Sequence, residues 1–169
     1  MEILWRAFEL RPDPVPKRDP NGEYLERVWR ESVYPLAERL GMTMRLPPIQ
    51  PRSRRAHEAA KWAQTQNRFD AYNQSIFRAF FERGEDIESV DVLIKLAGEL
   101  QLDESSLRVA LNEKLFEAAV IADENEATRI GVHAVPAFVA NRQYALSGVQ
   151  TLTALTELIE RARASISKP

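Results

Sequence analysis

The chain changes its folding period near residue 131, and that switch limits its possible architectures more than any other feature. Upstream, apolar residues recur mainly at helical steps, ending at Ile130 with Gly131 as a left-handed terminator. Downstream, Val132 to Val139 contains Val-Pro-Ala-Phe-Val, which reads as a strand entered through proline. Asn141-Arg142 reads as a turn, Gln143 to Ser147 as a second strand, and Gly148 as a break. Thr151 then starts a helix with Leu152, Leu155, Leu158, Ile159 and Ala162 inward. Residues 3–10, Ile-Leu-Trp-Arg-Ala-Phe-Glu-Leu, add a strand signal at the other end, closed by Pro12, Pro14 and Pro16. Strand, many helices, hairpin and helix, in that order, predict an α/β layer interrupted by a helical insertion.

The insertion carries its own signals. Leu25, Val28, Trp29, Val33, Leu36, Ala37 and Leu40 predict a helix stopped at Gly41, and Pro35 inside it should kink or divide it. Ser53 is placed to cap a helix whose Ala56, Ala59, Ala60 and Ala63 form a close-packing face. Phe69, Tyr72, Ile76, Phe77 and Phe80 make an aromatic stripe at three- and four-residue steps, read as core. Ser89 and Asp103 open two further short helices, through Leu93, Leu96 and Ala97 and through Leu107, Ala110 and Leu111. The expected division is a sheet layer from residues 1–20 and 118–169 and a helical insertion over 21–117.

Composition excludes several function classes. Hydrophobic residues at 44% and charged residues at 28% suit a packed core rather than disorder. A formal charge of −2 gives no electrostatic reason to expect nucleic acid or an anionic membrane as partner. No apolar stretch approaches the ~20 residues of a membrane-spanning helix, and the N-terminus does not read as a secretory signal, so a cytoplasmic protein is expected. The sequence has no cysteine, which removes disulfides, thiolate nucleophiles and cysteine-ligated metal. With His57 and His133 the only histidines, no metal site is expected. Arg45, Arg52, Arg54, Arg55 and Lys61 form a local basic cluster read as a solvated face.

The segment Arg129 to Gln150 resembles the C-terminal signature of the DsbA-like thioredoxin family, nearest its FrnE-like branch. The residues that carry this are Gly131-Val132, Val135-Pro136-Ala137-Phe138 and Ser147-Gly148-Val149-Gln150. Softer matches lie upstream: Trp5 to Leu10 is similar to the family's second strand, Ala56-His57-Glu58-Ala59 to the start of its helical insertion, and Phe77 to Phe81 to the insertion's central helix. The resemblance implies a truncated thioredoxin-like sheet with an all-helical insertion, opening on the second strand. The strand and Cys-x-x-Cys helix that begin such domains have no counterpart in the sequence.

The resemblance also implies a site. Pro136 would follow a cis bond, leaving the backbone at Val135 to pair with an extended peptide or with glutathione, with His133 close by. Gly148, Gln150 and Thr151 would open a helix N-terminus able to hold a carboxylate, as in glutathione-using relatives; capping by Thr151 accounts for these residues equally well. Members of the family are disulfide oxidoreductases, yet exchange needs a thiolate that this sequence does not supply. The expected function is therefore a non-catalytic binding or assembly protein with no cofactor beyond glutathione. A glutathione-dependent isomerase or transferase of the kappa or hydroxychromene-carboxylate type, and a truncated form of an active oxidoreductase, are the alternatives. A sheet without its central strand would close in one of two ways. Residues 3–10 would pair antiparallel with 136–140, or two chains would associate; a homodimer is expected.

Overall fold

The structure is a computed structural model and describes residues 2–166. The chain divides into two compact units: Arg11–Ile121, and the segment ending at Leu10 together with the chain from Ala122 onward.

Unit Arg11–Ile121 is helical. Its first helix runs as α1 (Glu23–Val28), a π-helical turn (Trp29–Val33) and α2 (Tyr34–Arg39) without a break. Pro35 does not divide it. The Tyr34 N–H reaches back five residues to the Trp29 carbonyl, so the ladder widens one residue before proline removes a donor and crowds the preceding turn. Gly41, at φ +63, ends the helix: its N–H bonds Glu38 at 3.1 Å and the Met42 N–H bonds Ala37 at 2.8 Å, the paired closure that favours glycine. Trp29 is buried, edge-on to Tyr34 and tilted against Phe81.

The core of this unit joins α3 (Arg54–Thr65), α4 (Phe69–Phe81), α5 (Val90–Glu99) and α6 (Glu104–Asn112). Ala56, Ala59, Ala60 and Ala63 are all buried, and their small side chains let α4 and α6 approach α3 closely. Tyr72, Leu93, Leu96 and Leu107 fill the space between. Polar tips are satisfied inside: the Tyr72 hydroxyl donates to the Leu93 carbonyl at 2.7 Å, and Trp62 Nε1 donates to Ser106 Oγ at 3.1 Å. The aromatic stripe is core at Tyr72 and Ile76 and half-buried at Phe69 and Phe80. Phe77 departs from it, 49% exposed and stacked on Phe81. Asp103 caps α6 through Ser106 N–H at 3.0 Å. Ser53 makes no side-chain cap, because its backbone (φ −94, ψ −1) is not in the extended region that capping uses.

Arg52 is not part of a solvated face. Its guanidinium bonds the carbonyls of Arg11 (2.8 Å) and Val15 (3.2 Å) and the carboxylate of Asp13 (2.9 Å). It thereby holds the proline-rich loop that cannot form ladder bonds of its own.

In the other unit, residues 3–10 are not a strand: they form no β-ladder with 136–140 or with any other described segment. Side chains of α7 (Glu117–Arg129) take the place of a neighbouring strand. Asp123 Oδ2 accepts the Ala7 N–H at 3.0 Å, Glu124 Oε1 accepts the Glu9 N–H at 3.2 Å, and Asp123 Oδ1 accepts from Arg6 Nη1 at 3.0 Å. α7 ends where the sequence indicates, with Gly131 at φ +78, Gly131 N–H on Thr128 and Val132 N–H on Ala127.

The sheet consists of β1 (Ala137–Ala140) and β2 (Tyr144–Ser147), antiparallel, with Ala137 opposite Ser147 and Ala140 opposite Tyr144. Asn141 (φ 51) and Arg142 (φ 58) are both left-handed, and Gln143 N–H bonds the Ala140 carbonyl at 3.1 Å, the turn geometry that matches strand twist. α8 (Leu152–Ile166) packs on the hairpin through Leu158 and Ala162. Asn141 Nδ2 donates to the Ala162 carbonyl at 2.9 Å and Arg161 lies over the Tyr144 ring at 5.4 Å. Leu152 is not inward; it is 82% exposed.

Candidate functional site

The bend at 134–136 and the break at 148–151 are brought together by one bond, Gly148 N–H to the Pro136 carbonyl at 2.8 Å. Gly148 sits at φ +81, a conformation a side chain would strain. The Val135–Pro136 peptide is cis. Val135 and Pro136 are exposed, and so is His133, which makes no hydrogen bond to a described residue.

The polar groups of the second segment are turned inward. Gln150 Nε2 donates to the carbonyls of Ser147 (2.7 Å) and Gly148 (3.2 Å). Thr151 Oγ1 accepts the Ala154 N–H at 3.2 Å, capping α8. The Gly148 N–H thus has its partner in the 134–136 bend, and the Gln150 amide and the Thr151 hydroxyl oxygen have theirs nearby in sequence. What this region offers outward is backbone, the His133 imidazole and apolar side chain: Val135 and Val139 are each 40% exposed, Val149 is 67% exposed.

A charged group borders the hairpin turn. Glu126 of α7 takes a bidentate bond from Arg129 at 2.7–2.9 Å and an ion pair from Arg142. The Arg129 guanidinium first, and Arg142 after it, hold the Glu126 carboxyl below its ordinary range. Together with Asp123 and Glu124 it makes one turn of α7 the anchor of both the 3–10 segment and the hairpin tip. Sequence reasoning missed all three, because acidic residues on a weakly amphipathic helix read as solvated.

Chemically, the site has no nucleophile paired with a base. Among the described residues, no three His, Asp or Glu side chains form a group able to hold a metal ion. No helix of the described residues is long and apolar enough to cross a membrane. In the helical unit, an open depression of about 440 Å³ at the α3–α4 turn is lined by Gln64, Asn67, Arg68, Phe69, Asp70 and Ala71. It likewise places no nucleophile beside a base.

Known proteins are similar to this chain in sequence and fold. An uncharacterized protein of Bacillus subtilis (strain 168), YwbO, is 36% identical over 120 residues, covering 69% of this chain and 60% of that protein. The chain thus spans about 60% of the length of that curated relative. The crystal structure of a probable DsbA oxidoreductase from Streptomyces coelicolor matches with a TM-score of 0.76 at 23% identity, covering 97% of this chain and 76% of that one. That likeness shows the fold: mostly helical α/β with a small sheet, of the DsbA-like thioredoxin type. The family model of the DSBA-like thioredoxin domain matches residues 1–160. On this evidence the chain belongs to the DSBA-like thioredoxin domain family.

Proposed function

We propose that this chain is a non-catalytic member of its family, a cytoplasmic binding or assembly protein that works as a homodimer. The observation that carries this reading is the absence of cysteine from all 169 residues. Thiol–disulfide exchange proceeds through a thiolate and a mixed disulfide, and neither serine nor threonine can form one. What remains of the site is a shape, an exposed bend at Val135-Pro136 beside a strand edge. The same unit leaves Ile3, Leu4, Trp5, Leu10, Val149 and Leu152 each at least 58% exposed, and exposed apolar side chains of this kind support the association reading. For glutathione, the side-chain amide of Gln150 is already bonded to the Ser147 and Gly148 carbonyls and the Gly148 N–H to the Pro136 carbonyl, which leaves only backbone amides of this turn to meet a carboxylate.

Two measurements test the reading. Insulin reduction should stay at the buffer rate, and turnover above it overturns the non-catalytic assignment. Light scattering should give twice the 19.3 kDa of the chain; a strict monomer at high concentration overturns the homodimer. Length supports a second reading. The chain covers 60% of YwbO and 76% of the Streptomyces chain, so an active oxidoreductase containing these residues would carry its thiols in the remainder. Intact mass of the protein from its native cells separates the two: 19.3 kDa supports the first reading, and a larger, cysteine-containing species supports the second.

A further inference from the structure

We infer that β1 pairs with β1 of a second copy, antiparallel and centred on Phe138, joining two hairpins into one four-stranded sheet; this rests on the homodimer reading above. The Gly148–Pro136 bond fixes the phase of the hairpin. Pro136, Phe138 and Ala140 direct their backbone groups toward β2, so Ala137 and Val139 direct theirs to the outer edge. Neither residue has a hydrogen-bond partner there among the described residues.

Two donors and two acceptors, two residues apart, are self-complementary. When two copies meet antiparallel about Phe138, Ala137 faces Val139 of the second copy and Val139 faces its Ala137, closing four hydrogen bonds. The same register sets the large Val139 side chain, 40% exposed alone, against a small one. It places the two Phe138 residues in the close, non-hydrogen-bonded relation of ~4.5 Å between Cα atoms. The two-fold axis lies normal to the sheet, so both α8 helices stay on the face that carries Phe138, Ala140, Tyr144 and Leu146.

Charge does not oppose this register. Residues 137–140, Ala-Phe-Val-Ala, contain no charged residue and no proline, the devices by which solvent-facing edges avoid pairing. The nearest ionisable side chains, His133 and Arg142, fall opposite Gln143 and Ala134 of the second copy, so no like charges meet. A second copy is the occupant because it returns the same four backbone groups and the same small-to-large alternation.

Three forms of the full chain test this. Val139→Pro removes only the outward donor, leaving the β1–β2 bonds, and Val139→Lys adds an edge charge without touching the backbone. Both should keep the parent's circular dichroism and raise the dimer dissociation constant at least tenfold in light scattering. In this cysteine-free chain, Phe138→Cys should give a single disulfide-linked dimer on mild oxidation, whereas Val139→Cys should not. If the parent and both Val139 variants are equally dimeric, the edge pairing is overturned while the homodimer reading stands. If the parent is monomeric, both fall. A dimer in which Cys at 138 fails to cross-link overturns the register.

Discussion

Removing the Asp123 carboxylate tests how this unit holds an extended segment without a neighbouring strand. Asp123 is 5% exposed and Ala7 is 6% exposed, so the bond from Ala7 N–H to Asp123 Oδ2 at 3.0 Å is shielded from water. A hydrogen bond to a charged acceptor contributes about 1.5–3 kcal/mol, and a buried donor left unmatched costs ~1–3 kcal/mol. The Arg6 arm adds little, at most about 1 kcal/mol, because its side chain is 62% exposed. Asp123→Ala should therefore destabilise by roughly 2–4 kcal/mol. Asp123→Asn, which keeps an oxygen for the Ala7 amide, should cost about half as much. Urea unfolding reads the total, and amide hydrogen exchange reads the place: protection at Ala7 should vanish in the alanine variant and persist in part in the asparagine one. Raising salt should leave Ala7 protection intact, since buried bonds are weakly screened. If Asp123→Ala unfolds within 0.5 kcal/mol of the parent and Ala7 stays protected, the carboxylate is not what holds the segment.

Two further predictions concern the helical unit. Glu58 is buried at 3% exposure with Oε2 unbonded among the described residues. Desolvation first and the Glu117 charge second raise its pKa, against Arg54, Lys114 and Arg55. A raised carboxyl pKa means the folded chain holds this proton more tightly than the unfolded one. The contribution is complete below the ordinary carboxylate pKa and is lost as pH rises through the folded value. Glu58→Gln should thus raise Tm at pH 7 and barely change it at pH 4; equal shifts at both would exclude the linkage. Gln101 closes α5 at φ +57, with its N–H on Gly98 and the Leu102 N–H on Ala97. Gln101→Gly should stabilise by about 0.5–1 kcal/mol in thermal melts, and a loss of stability would show the side chain to matter more than the backbone.

Much of this was legible because it is local. Gly41 and Gly131 marked their helix ends, Asp103 its cap and Asn141-Arg142 its turn, each from the conformational range of one or two residues. The same closure at Gln101 and Lys114 was not legible, because nothing in those side chains asks for a left-handed backbone and only the packing that follows imposes it. The family resemblance pointed to Val135-Pro136 and to Gly148, Gln150 and Thr151 as two separate segments, and the Gly148–Pro136 bond is what joins them. That the polar groups of Gln150 and Thr151 turn back into their own loop depends on side-chain rotamers the sequence does not specify.

The sequence by itself determined the order of helices and hairpin, the alanine face of α3, and the absence of thiol chemistry from these residues, since each follows from local periodicity or residue type. Tertiary structure alone decided how residues 3–10 are held. Their alternation satisfies a strand, but a strand is defined by a partner across space. Here the partner is the carboxylate pair Asp123 and Glu124 on α7, more than a hundred positions away. Tertiary structure also decided that, among the described residues, β1 pairs on the β2 side alone, because pairing is a property of neighbours and not of the segment that offers it.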